Sequence, residues 1–169
     1  MKTLSFCALA ALVALAAPAQ DADTCAAHHA AVDARGDAVM GFGHAKTTHH
    51  FSRTPDGGVI AVSANDPSDT ASRDAIRGHL AHVAKMFAAG DFQAPMLVHG
   101  KTPPGVPVMK DRKGSIRYSY EETAAGARIT ISTADAKALA AIHDFLRFQI
   151  EDHRTGDSLE VKEAARDGN

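Results

Sequence analysis

The stretch from His49 to Asp66, HHFSRTPDGGVIAVSAND, lies without a gap over the stretch from Tyr118 to Asp135, YSYEETAAGARITISTAD. Phe51 falls on Tyr120, Gly57 on Gly126, Ile60 on Ile129, Val62 on Ile131 and Asp66 on Asp135. Each block reads as an alternating strand, a glycine-containing turn and a second alternating strand, the pattern of a β-hairpin. Each is followed by a segment of helical period that runs to a Gly-Asp pair, Gly90-Asp91 in one and Gly156-Asp157 in the other. A hairpin needs its apolar face covered, and an amphipathic helix supplies the cover. The expectation is an α+β fold of two ββα units, with an antiparallel sheet of about four strands and two helices on one face. The units span 44–91 and 114–157 of a single domain at 44–157, joined by a connector at 92–113.

The first helix is expected to begin after Asp69-Thr70, whose oxygens suit an N-cap, and to stop at Gly90. Ile76, Leu80, Val83 and Phe87 form its apolar stripe. The second helix, Ala136 to His153, uses Leu139, Ile142, Leu146 and Ile150, with His143 and His153 as boundary side chains. In the connector, Phe92 to His99 reads as a short extended piece and Pro103-Pro104-Gly105-Val106-Pro107 as a rigid loop.

Histidine is the residue type that points to chemistry. The chain has ten, beside seven Phe, two Tyr and no Trp. Neutral imidazole is the commonest side-chain metal ligand. His79 and His82 are three apart, on neighbouring helical positions, and Met86 falls on the same flank of the stripe. Imidazole with thioether suits copper better than magnesium or calcium. On the first hairpin, pairing Phe51 with Val62 places His49 on the core side, near the His79 flank, and His50 on the other face. His49, His79 and His82 are therefore the leading metal ligands, with His50, Met86 and His99 in reserve. His44, Met96 and Met109 are more distant candidates. The plainer alternative makes His49 a buried histidine on a backbone carbonyl, His79 a boundary residue, His82 a solvated one and Met86 a filler of the core.

Residues 1–19 carry Lys2, an apolar run from Leu4 to Ala17 and an Ala17-Pro18-Ala19 cleavage signal, the pattern of a secretory signal peptide. Cleavage after Ala19 leaves a leader at 20–43, free to be mobile, and a C-terminal tail at 158–169 follows the domain. Only Cys25 then remains, so no disulfide closes within one chain. Cys25 with His28-His29 forms a soft-metal pattern, or else a terminal helix with solvated histidines. No second apolar run predicts a membrane span. The net charge of −2, with no basic cluster, argues against a nucleic-acid partner. A homodimer is open through Cys25 or an uncovered sheet face.

MGFGHAKTTHHF, NDPSDTASRDAIRGHLAHVAKMFAAGDF, APMLVHG, TPPGVPVMK and FLRFQIEDHRTGD together resemble a family of small secreted bacterial proteins of unknown role. The resemblance runs from Arg35 to Asp157 and implies a bacterial, exported product, with no activity and no catalytic residues attached. The residues themselves predict a periplasmic or secreted metal-binding protein, copper first and zinc second, for sequestration or delivery. The alternatives are a protein-interaction module and a carrier of haem or another small ligand. An enzyme is less favoured: Asp74 and Glu121 are available bases, but no HExxH or other catalytic signature is present, nor a CxxCH haem attachment motif.

Overall fold

The computed structural model describes residues 20–162. The expected signal segment at 1–19 and positions 163–169 of the tail lie outside the described residues. The first hairpin is β1 (Thr47–Thr54) with β2 (Gly57–Ala64), and the second is β3 (Ile116–Glu122) with β4 (Gly126–Thr133). They join through β2 and β4 into one antiparallel sheet of order β1-β2-β4-β3. The α+β expectation of a four-stranded antiparallel sheet holds.

The sequence overlay is reproduced in the register. Ile60 pairs with Ile129, two positions that the overlay equates, and Gly57–Ser132 mirrors Ser63–Gly126. Within the hairpins, Thr47 faces Ala64 and Ile116 faces Thr133, again equivalent positions. The two units are thus related by a pseudo-twofold axis through the centre of the sheet. One detail of register is corrected: Phe51 pairs with Ile60, and Val62 faces His49. The difference is two residues, so the side chains keep their faces.

The long helices are α2 (Thr70–Ala89) and α5 (Ala136–His153). Asp69 caps α2 by accepting from Ser72 N, and Gly90, at φ 81°, ends it in the left-handed region. Asp135 caps α5 in the same way. Both lie on one face of the sheet, but crossed: α2 covers β3 and β4, while α5 covers chiefly β1 and β2. Each helix therefore closes the other unit's hairpin. Ile76, Ile129, Ile131, Ile142 and Leu146 are wholly excluded from solvent at this crossing. Leu146 packs so closely on Gly58 that a Cβ there would lie 2.2 Å from its Cδ1. Leu139, expected in the α5 stripe, is only half-buried; Ala138 and Phe145 take the inner positions.

The connector corrects the expected extended piece. It folds into two short helices, α3 (Gln93–His99) and α4 (Val106–Asp111). Pro95 and Pro107 both sit in a first helical turn, where the missing N–H has no intrahelical partner to lose, so neither breaks its helix. Gly105, at φ 79°, presses against the α5 backbone, and a Cβ there would lie 2.0 Å from Ala141 O. The segment read as a leader is also helical, α1 (Gln20–Met40). It lies against α3: Val32 is buried, and Arg35 Nε donates to Val98 O at 2.7 Å. The described residues thus hold five α-helices, with α1 and α3 closing one end of the layer that α2 and α5 begin. No helix among them is long and apolar enough to cross a membrane.

Candidate functional site

The end closed by α1 and α3 holds a cavity of about 80 Å³. Four histidines from four elements line it: His49 on β1, His79 on α2, His99 at the end of α3 and His153 at the end of α5. Their surroundings are mainly apolar, with Phe51, Val62, Leu80 and Phe145 among the walls. His49 reaches it because the strand alternation puts it on the same face as Phe51; the two rings stack at 6.4 Å. His153 lies 5.9 Å from His49 and 4.9 Å from His99, ring centre to ring centre. Phe42 bridges His49 and His79, at 6.1 and 5.7 Å.

Hydrogen bonding divides the ten histidines sharply. His28 Nε2 meets Asp152 Oδ1 at 2.9 Å, and His29 Nδ1 meets the Asp152 carbonyl at 3.2 Å. His44 bonds Asp37, His50 bonds Asp157, and His143 bonds Thr54 O. His99 is held at both ends, by Asp152 Oδ2 at 2.6 Å and by Gln149 Oε1 at 3.0 Å. Among the described residues, His49, His79, His82 and His153 make no side-chain hydrogen bond, and all but His82 line the cavity. His49 Nε2 is buried outright with no partner, as is Nε2 of the cavity-lining Gln149. Buried polar atoms in native proteins are nearly always satisfied, so such orphans mark a place where something else binds.

Electrostatics keeps these rings uncharged. Burial, then the neighbouring His79, His50 and His44, lower the His49 pKa from 6.5 to about 4. Burial, then His82, lower His79 to about 4. Burial, then His99 and His49, bring His153 to about 3 against the opposing pull of Asp152. A neutral imidazole offers one N–H and one lone pair, for a hydrogen bond or a metal. Asp152 is the anchor beside them. Burial raises its pKa, but hydrogen bonds from His28 and His99, with their charge, outweigh that and hold it below the ordinary carboxylate range.

A second, polar cleft of about 460 Å³ adjoins the cavity, and Met40, His49 and His153 line both. Its further walls include Asp33, His44, Thr47, Thr48, Arg154 and Thr155. The pseudo-twofold axis carries Thr47, Thr48 and His49 onto Ile116, Arg117 and Tyr118, which line an open cleft at the other end. There the buried Tyr118 hydroxyl, also without a partner, stands in place of His49. Only one unit therefore carries the histidine site.

The structure brings together His49, His79 and His99 from the expected ligands. It does not bring the rest. His82 is exposed, His50 is on the opposite sheet face with Asp157, and Met86, half-buried, is not in the wall. Among the described residues no group of three His, Cys, Asp or Glu side chains is placed to hold a metal ion. Cys25 is exposed on α1, while His28 and His29 turn to Asp152. Asp74 and Glu121 form exposed ion pairs with Arg73 and Arg128, away from the cavity. His153 and Met40 were missed as site residues: one reads as a helix boundary, the other precedes a glycine at a helix end. Comparison of the chain with protein-family models, curated proteins and solved structures gives no match.

Proposed function

We propose that the protein binds a small, largely apolar organic molecule in the cavity, with polar atoms of the ligand bonded to His49, His79 and His153. The observation that carries this is the set of three uncharged, unbonded imidazoles around one apolar space. Leaving the buried His49 Nε2 unsatisfied is unfavourable by about 1–3 kcal/mol, and a ligand with complementary polar atoms removes that cost. The volume is about half that of a cavity that takes benzene, so the part of the ligand held there is only a few heavy atoms. Thermal unfolding against a panel of small alcohols, ketones and hydrocarbons tests it. Stabilisation that grows with the concentration of a polar-headed compound, and is lost in His49→Phe, is expected. Wild-type protein indifferent to the whole panel would overturn it.

A metal site is the second reading, favoured by the same three neutral rings. His49, His79 and His153 would supply an open three-nitrogen site for copper or, next, zinc, after side-chain rotation brings the rings together. Elemental analysis of protein purified without chelator decides it: near-stoichiometric metal, absent from His49→Phe, supports it, and metal-free protein that takes none up contradicts it. For either cargo, the apolar run and Ala17-Pro18-Ala19 support a bacterial periplasmic or secreted carrier. Exported protein recovered from a bacterial host should begin at Gln20; retention of Met1 would contradict that setting.

A further inference from the structure

The two chambers differ in character and meet at three side chains. Met40, His49 and His153 belong to both, so they are the wall between an apolar cavity of about 80 Å³ and a polar cleft of about 460 Å³. The charged groups lining the cleft are Asp33, Arg154 and the titratable His44. Asp33 has only a loose approach to His44 Nε2, at 3.9 Å, because His44 Nδ1 is committed to Asp37 at 3.0 Å. Arg154 makes no ion pair or side-chain hydrogen bond among the described residues. It is also the one non-glycine residue among them with a left-handed backbone, φ 51°, at the end of α5. That backbone is the C-cap of α5, its N–H bonded to Glu151 O and Ile150 O, and the Arg154 side chain it carries is exposed beside the cleft. Thr47, Thr48 and Thr155 add hydroxyl groups.

An acid and a base lining one cleft, next to a small apolar chamber, match a molecule with both charges and a short hydrocarbon arm. We infer that the ligand is an α-amino acid with an aliphatic side chain. Its carboxylate pairs with Arg154 and its ammonium with Asp33 in the cleft, where His49 and His153, which line it too, bond the same polar atoms. Its side chain passes Met40 and lies in the inner cavity, beside the stacked rings of His49 and His153. This rests on the small-ligand reading above and goes beyond it by naming the class. The cavity sets the arm at about three or four carbons, which points to valine or leucine.

Calorimetric titration of the chain from residue 20 onward tests the assignment. The probes are L-leucine, 4-methylpentanoate without the ammonium, 3-methylbutylamine without the carboxylate, and 3-methylbutan-1-ol with neither charge. Leucine is expected to bind about tenfold or more tightly than each of the others. Arg154→Gln should erase its advantage over the amine, and Asp33→Asn its advantage over the acid. Both variants should keep the alcohol affinity of the wild type, which shows that they fold. If the alcohol binds as well as leucine, or neither variant changes the ranking, the amino-acid assignment is overturned and the small-ligand reading stands. If none of the probes binds while another compound of the thermal-unfolding panel does, the amino-acid assignment alone falls; if nothing in the panel binds either, both fall.

Discussion

His49 occupies a strand position where the pleat turns it inward and the chain gives its Nε2 nothing to bond. A residue kept for folding alone would serve better as phenylalanine. His49→Phe should therefore raise the stability of the empty protein by about 1 kcal/mol, or about 3 °C in Tm, while abolishing binding. Thermal unfolding with and without ligand checks both halves. The same residues set a pH dependence. His49 and His79 take up protons near pH 4 and His153 near pH 3 in the folded state, against 6.5 ordinarily. As pH falls below 6.5 the unfolded chain binds protons first, so stability is full above 6.5 and declines toward pH 4 and on to 3. A Tm profile from pH 8 to 4 should show this fall, flattened in His79→Leu. A profile level between pH 6.5 and 4.5 would contradict it. His49 and His79 were legible as a pair because alternation and helical period fix their faces. His153 was not, because nothing local shows that a helix ends over another element's cavity.

Among the elements, α1 is the one that walls one side of the histidine cavity, through Val39 and Met40. It was illegible as a docked helix because its sequence carries no apolar stripe; of its residues with described burial only Val32 and Gly36 are buried. What holds it is polar and distant in sequence: Arg35 on Val98 O, and His28 on Asp152. Asp152 bonds His28 and His99 at once, so Asp152→Ala should destabilise by about 1–3 kcal/mol through the unsatisfied His99 ring. Limited proteolysis of that variant should cut within α1, where the wild type resists. Equal resistance would show that α1 does not depend on this carboxylate. The prolines of the connector misled for a related reason: their cost depends on position within a helix, and both sit where it vanishes.

For the molecule as a whole, the duplication makes the two hairpins and the antiparallel sheet legible, but not the partner of Phe51 nor the exchange of helices. Strand alternation and turn chemistry are local, whereas which hairpin a helix covers is decided by the pseudo-twofold packing. That exchange has a consequence. The α2 stripe of Ile76, Leu80, Val83 and Phe87 lies chiefly over β3 and β4, so a fragment ending before Ile116 leaves it uncovered. A chain of residues 20–113 should lack cooperative unfolding by circular dichroism, whereas 20–169 unfolds in one transition. Cooperative melting of the fragment would show that one ββα unit folds alone.

The proposed binding rests on His49, His79 and His153 as neutral imidazoles with no side-chain hydrogen bond among the described residues. Nitrogen NMR of the imidazole rings, recorded at pH 7 on histidine-labelled protein before and after leucine is added, tests it most directly. Three neutral rings are expected, their nitrogen shifts moving together with leucine while His143, bonded to Thr54 O, stays still. Rings already protonated at pH 7, or shifts unmoved by leucine and by every other small amphiphile tried, would contradict it.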